Sequence, residues 1–209
     1  MRIESVTLEG RHVRLEPLSR RHLGPLGAVL DPTLLQWFAQ PVTDESELAA
    51  FIDEALHQQD AGTALPFAIV ERRSGRAIGS TRFANIDRAN RRLEIGWTWI
   101  ARPWQCTAVN AETKLLMLTH AFEVLGTIRV EFKTDSLNIQ SRAALARLGA
   151  REEGTFRNHM ITASGRVRHS VWFSIIDSEW LKVKKGLEAR LEAKSRPARR
   201  AVPEEAPAK

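Results

Sequence analysis

A glutamate in the middle of an apolar strand is the first residue here that invites a chemical reading. Glu94 lies between Leu93 and Ile95 in the run LEIGWTWI, where strand propensity disfavours a carboxylate. Simple alternation puts Leu93, Ile95, Trp97 and Trp99 on one face and Glu94, Gly96 and Thr98 on the other. Beside Gly96, the carboxylate can look into a groove. Desolvation there would raise its proton affinity and suit it to act as a base on an amine. The same pattern also describes the solvated face of an antiparallel sheet, so both readings stand at this point. Cys106 is the single thiol and falls at a helix start, where the dipole favours a thiolate. No histidine is near it in sequence, and a small residue filling a turn is the preferred reading. The histidines at 12, 22, 57, 120, 159 and 169 lack ligand spacing, so no metal is expected. His120 falls mid-helix and reads as packed or solvated rather than catalytic.

The elements that must position Glu94 follow from periodicity. Two short extended pieces flank Gly10, and Ser19 can cap an irregular helix with Leu23, Leu26 and Leu30 on one face. A better helix starts at Thr43 with acids in its first turn and ends near residues 59–62. Strands over 65–71, 77–86 and 93–100 form an antiparallel meander. A long helix follows, with Ala108, Ala111, Leu115, Leu118, Phe122 and Leu125 as its stripe and Gly126 as its cap. Leu116, Met117, Ala121 and Val124 broaden that stripe, so deep burial is expected. Ile128, Val130 and Phe132 then alternate with charged residues, which makes a parallel strand–helix–strand crossover. Asn138 caps the next helix and Gly149 stops it. Two strands flank the turn at Ser164 and Gly165, the second with Val167, Val171, Phe173 and Ile175 on one face. A last helix carries Trp180, Val183, Leu187 and Leu191.

At 209 residues, 43% hydrophobic and 27% charged, the chain fits one globular domain. No apolar run approaches the ~18 residues of a membrane span, and the N-terminus does not read as a signal peptide. A single cysteine fits the reducing cytoplasm. The net charge of +6 is local: nine of the 31 Lys and Arg, and four of the 25 Asp and Glu, lie from Leu181 onward. The body then holds 22 basic against 21 acidic residues, so nucleic acid is not an expected partner except weakly through that tail. The divisions expected are a body over 1–180, a helix over 181–194 and a disordered Pro/Ala and basic tail over 195–209.

The EIGW strand, the turn and helix after RPW, and the segment DSLNIQSRAALARLGA together resemble the GNAT superfamily of acyl-CoA-dependent N-acyltransferases, in its RimJ/RimL-type branch. The hairpin FRNHM to GRVRHSVWFSII supports the likeness, which covers about residues 6–180. The resemblance implies an α+β fold, with a mixed, mostly antiparallel sheet splayed between its fourth and fifth strands and helices on both faces. It implies acetyl-CoA as co-substrate, an amine acceptor (a protein N-terminus or a small molecule) and direct transfer in a ternary complex. By position, Trp99 and Ile100 would offer backbone groups to the pantetheine. Arg102, Gln105, Cys106, Thr107, Ala108, Val109 and Asn110 would surround the pyrophosphate. Asn138 would bond the pantetheine or acyl region, Ser141 would lie near the sulfur as a proton donor, and Glu94 would be the base. Members of the branch often pair, so a homodimer is also implied.

The chain departs from the family in two places. The register of the usual [RQ]-x-x-G-x-[GA] turn gives Arg102-Pro103-Trp104-Gln105-Cys106-Thr107, without either glycine. A glycine there lets a ligand approach the backbone closely. The chain also has no tyrosine, the residue many members use to protonate the CoA sulfur. An inactive CoA-binding or partner-binding module with the same fold is therefore the alternative. For the acceptor pocket the sequence offers Trp37, Phe38, Asn158, His159 and Arg168. The Arg and His suit an acceptor bearing a carboxylate or phosphate, with a plain solvated surface as the competing reading.

Overall fold

The computed structural model describes residues 1–195, and the tail expected over 195–209 lies outside the described residues from position 196 on. The chain forms one eight-stranded sheet in the order β1-β2-β3-β4-β5-β6-β8-β7. Its strands are β1 (Leu8–Glu9), β2 (Val13–Pro17), β3 (Leu65–Glu71), β4 (Ala77–Asp87), β5 (Arg92–Ile100), β6 (Arg129–Asp135), β7 (Arg151–Ile161) and β8 (Val167–Ile176). All neighbours are antiparallel except β5 and β6. The helices are α1 (Leu23–Gly27), α2 (Glu45–Asp60), α3 (Ala108–Thr119), α4 (Ile139–Leu148) and α5 (Asp177–Ser195). The fold is therefore the mixed α+β arrangement expected. Because the first strand breaks at Gly10 into β1 and β2, the splay expected after the fourth strand falls between β5 and β6.

Two cores sandwich the sheet. On one side Leu15, Phe67, Ile78, Leu93, Ile95, Val130 and Phe132 pack with Met117, Leu145 and Trp180 from α3, α4 and α5. On the other, Leu26, Leu48, Ile52 and Ala55 of α1 and α2 pack on Ala68, Val70 and Trp99. The helix expected over 181–194 begins at Asp177, and its Trp180, Val183 and Leu187 are buried in the first core.

Two local irregularities correct the periodic reading. Ser80 pairs with Trp99 while Arg82 pairs with Gly96, so β5 spends one more residue than β4 between those pairs. Trp97 takes a left-handed φ of 48° at this bulge. One inserted residue reverses the alternation. Leu93, Ile95 and Ile100 face the α3 side, whereas Trp99 belongs to the α1/α2 core and Trp97 lies over Arg82. The single face expected for Leu93, Ile95, Trp97 and Trp99 is thus broken in its middle.

In α3 the buried line is Val109, Thr113, Met117, Leu118 and Ala121, turned from the expected stripe, and Val124 is 68% exposed. The cause is polar. Glu112 and Lys114 are buried beside that line, and residues 120–124 widen into a π-turn in which the Leu125 N–H donates to the His120 carbonyl at 2.9 Å. Glu112 accepts from the N–H groups of Arg11, His12 and Val13 at 2.9, 2.6 and 2.7 Å, fastening the β1–β2 turn to α3. A Cβ on Gly10 would lie 2.6 Å from that carboxyl, which explains the glycine.

Candidate active site

β5 and β6 pair only through Arg92 with Arg129, Leu93 with Val130 and Glu94 with Glu131. Beyond Glu94 each strand runs on without the other. The bulge at Trp97 bends β5 away, and the gap opens toward the turn before α3 and the start of α4. Glu94 stands where the gap begins. It is 3% exposed, so the solvated-sheet reading does not hold. Burial pushes its proton affinity up, against the opposing pull of Lys133 Nζ at 3.6 Å and the Asn85 amide, which donates to Oε2 at 2.7 Å. A Cβ on Gly96 would sit 2.9 Å from Glu94 Oε1, so the glycine leaves space on that side of the carboxylate. This is a desolvated carboxylate suited to holding or taking a proton.

The turn from Arg102 to Thr107 resolves the missing glycines. Gln105 has φ −68° and ψ 153°, and Thr107 has φ −90° and ψ −167°, both ordinary for L-residues. The left-handed position is Cys106, at φ 60°, exposed and between the two places where glycine was expected. Thr107 caps α3 through its hydroxyl, which accepts from the Val109 N–H at 3.2 Å. Among the described residues, the N–H groups of Cys106 and Thr107 donate to no backbone carbonyl. With the first turn of α3, whose Ala108 and Asn110 amides also lack intrahelical acceptors, they form a set of donors at a helix N-terminus suited to phosphate. From the far side Lys194 of α5 donates to the carbonyls of Cys106 and Thr107 at 2.8 and 2.7 Å, holding the turn. Arg102 points elsewhere, to Asp31 and Thr33. A cleft of about 520 Å³ with Arg11, His12, Arg73, Trp104 and Thr107 on its walls flanks the turn.

Across the gap, Asn138 caps α4 by accepting from the Ser141 N–H at 3.0 Å. Among the described residues neither its side-chain NH₂ nor the Ser141 hydroxyl has a protein partner. Gln105 Nε2 donates to the Ile100 carbonyl at 2.9 Å, and Gln140 Nε2 donates to Gln105 Oε1 at 3.4 Å. The turn and α4 thus touch over the open end of the gap. Trp99, Ile100, the turn and the Asn138/Ser141 pair lie around the diverging C-terminal ends of β5 and β6. Glu94 lies at their joint, on the opposite sheet face from α3 and α4.

Lys114 is not among the residues expected at the site from sequence. It is buried, donates to Thr98 Oγ1 of β5 at 2.8 Å and lies 5.9 Å from the Phe132 ring of β6, so it spans the gap from the α3 side. Burial pulls its ammonium down to about 7. A lysine within an apolar helix pattern, four residues after Asn110, was the available signal. His120 packs on Phe83 at 6.0 Å, in keeping with the packed reading.

On the α1/α2 face, Lys133 lies between the rings of Trp97 and Trp172, 5.9 and 5.3 Å away. Phe156 stacks on Trp172 at 4.1 Å and His159 meets it edge-on at 4.8 Å. Burial, then Lys133 and Arg168, hold His159 below its ordinary value. Asn158 takes a left-handed turn in β7 and donates its N–H to His169 at 2.8 Å. Arg168 is already engaged by the Trp37 carbonyl at 3.0 Å, Ser170 Oγ at 3.1 Å and Asp135 at 3.7 Å. Phe38 packs on Phe51 of α2. Among the described residues no group of three or more His, Cys, Asp or Glu is placed to hold a metal.

Comparison with known proteins agrees with this geometry. The model of the acetyltransferase (GNAT) domain family matches residues 12–151. The "Putative ribosomal N-acetyltransferase YdaF" of Bacillus subtilis (strain 168) is 32% identical over 106 residues, which are 51% of this chain and 57% of that one. The match thus spans little more than half of that relative. A GCN5-related N-acetyltransferase from Brucella melitensis superposes with a TM-score of 0.83 at 33% identity, over 90% of this chain and 86% of its own. Mycobacterium smegmatis RimJ, solved in complex with CoA-disulfide, shares the fold with a TM-score of 0.73 at 22% identity, over 89% and 93% of the two chains. The splayed sheet, the donor-lined turn and the family match lead to one conclusion: this chain is a member of the GNAT acetyltransferase family.

Proposed function

We propose that this protein moves an acetyl group from acetyl-CoA to a primary amine by direct transfer in a ternary complex, with Glu94 as the base. The observation that carries the reading is a carboxylate at 3% exposure, raised in proton affinity, at the closed end of the β5/β6 gap. Acetyl-CoA supplies the activated acyl carbon. The amine nitrogen forms a bond to that carbon as the C–S bond breaks. Glu94, directly or through a water, takes the proton that the amine gives up. The departing sulfur takes a proton from Ser141 or from water, since no tyrosine exists to give one. The N–H groups of residues 106–108 and 110 would hold the pyrophosphate, with Gln105 and Val109 shaping the turn. Backbone groups of Trp99 and Ile100, with the Asn138 amide, would hold the pantetheine. Arg102, tied to Asp31, keeps the turn in place rather than touching phosphate.

The branch resemblance and the likeness to a ribosomal-type relative favour a protein N-terminus or a small amine as acceptor. A homodimer belongs to the same reading, and light scattering tests it. The decisive experiment is thiol release from acetyl-CoA with a panel of amines and N-terminal peptides. Stabilisation by acetyl-CoA without any turnover would favour the inactive binding module, and loss of both would end the two readings together.

A further inference from the structure

Arg82 of β4 is 2% exposed, yet only one of its bonds is accounted for: Nη1 donates to Gln58 Oε1 at 3.2 Å. Among the described residues no carboxylate forms an ion pair with it. Its guanidinium lies between the rings of Phe51 and Trp97, at 4.8 and 4.9 Å. Ring faces return about 2 kcal/mol to a desolvated cation, less than burying a charge costs. Burial accordingly pulls Arg82 down to about 10, opposed by the charge of Glu54, which lies beyond ion-pair distance. Among the described residues no protein atom accepts from its Nε and Nη2 edge. Arg20 shows what that edge does in this protein, holding Asp53 with both nitrogens at 2.8 and 3.1 Å. A fork of this shape matches a carboxylate.

Its place in the sheet gives the empty fork a meaning. Arg82 pairs with Gly96 and Ala84 pairs with Glu94, so these four residues form a square on β4 and β5. Arg82 and Glu94 occupy one diagonal, roughly 7–8 Å between backbones. The other two corners are a glycine and an alanine, which add almost no bulk between them. The remaining cations nearby are committed: Lys133 to Glu94, and Arg166 and Arg168 to Asp135. The arginine that the sequence suggested for an acidic acceptor, Arg168, is therefore already engaged.

We propose that the acceptor carries a carboxylate a few bonds from its reactive amine, and that the Nε/Nη2 edge of Arg82 binds that carboxylate while Glu94 faces the amine. The inference rests on Glu94 as the base and adds the class of acceptor. It also assigns Arg82 a role in acceptor specificity rather than in bond making.

The test is a set of matched ligand pairs titrated by calorimetry into the full chain saturated with CoA. Glycine, β-alanine and 4-aminobutyrate are compared with their amides, and an Asp-initiated tripeptide amide with its Asn counterpart. The free amino acids and the peptide distinguish small acceptors from an acidic N-terminus. In the unmodified protein at least one carboxylate should bind about tenfold or more tighter than its neutral partner. Arg82→Met should bring that ratio near one, and Arg82→Lys should retain part of it. CoA affinity, measured in the same samples, should not change. Carboxylates binding no better than amides in the unmodified protein, or a preference that survives Arg82→Met, would overturn the proposal. Thiol release is followed in parallel: a carboxylate preference without turnover supports this site while removing the acetyltransferase reading.

Discussion

Replacing Glu112 by glutamine should loosen the β1–β2 turn without changing the shape of the core. In the native protein Glu112 Oε1 accepts from the Arg11 N–H, and Oε2 accepts from those of His12 and Val13. Glutamine can present one carbonyl oxygen, best placed where it serves His12 and Val13. Its NH₂ then faces the Arg11 N–H, donor against donor. Two bonds fall from charge-assisted to neutral, about 1 kcal/mol each, and the third is lost for about 1 kcal/mol more. The total is about 3 kcal/mol, or a fall in Tm of roughly 6–12 °C for a domain of this size. Urea unfolding and thermal melts at one pH measure it. A double-mutant cycle sharpens the test: Gly10→Ala places a Cβ 2.6 Å from the carboxyl, so its penalty should shrink sharply in a Glu112→Ala background. A Glu112→Gln loss below about 1 kcal/mol, or an additive cycle, would refute the claim that this carboxylate fastens the turn.

Glu94→Gln should lower kcat/KM by about 10²- to 10⁴-fold near neutral pH. Because burial raises the Glu94 pKa, unmodified activity should fall as pH drops through a value above the ordinary carboxylate range, and the variant should lack that limb. The raised pKa also means that the stabilising effect of this group is full below its unfolded value and lost as pH rises through the folded one. Glu94→Gln should therefore not lose stability at neutral pH, and a variant that is both inactive and unstable would undercut the base assignment. Lys114 has the opposite sign: its folded value is pulled down to about 7, so native stability should rise with pH from about 7 towards the ordinary lysine range. Lys114→Met should be more stable at neutral pH and flat over that interval in denaturant titrations. Cys106→Gly should leave stability unchanged or raise it by a few tenths of a kcal/mol, whereas Cys106→Val should cost about 1 kcal/mol or more, because the position is left-handed. Equal melts for the two would contradict the turn geometry.

The order of elements was readable from sequence because each depends on local pattern: the meander of β3 to β5, the Asn138 cap and the Gly126 and Gly149 stops all fall where expected. What escaped was set by single residues acting across the fold. An insertion at Trp97 cannot be seen by counting alternation within one strand, since it exists only relative to the pairing with β4. In sequence Glu112 is one polar position beside a helical stripe, and nothing local tells of three amides brought to it from about a hundred residues away. Arg82 sits in a strand rich in small residues, and its lack of an ion pair among the described residues emerges only once Arg166, Arg168 and Lys133 have found their partners. Glu94 was legible as an oddity. Its depth, which turns the oddity into a candidate base, belongs to the tertiary structure.

The three residue pairs that join β5 to β6 make the sheet two half-sheets meeting at one end. Arg92 to Glu131, and Arg129 to both Glu131 and Glu153, brace that end. Past the joint, each half presents an inner strand edge that, among the described residues, pairs with no strand across the gap. A molecule lying in the gap would act as a surrogate strand. Amide hydrogen exchange should then show protection concentrated along the facing edges of residues 95–100 and 132–135 when CoA is added, with little change at 92–94, where the two halves are already joined.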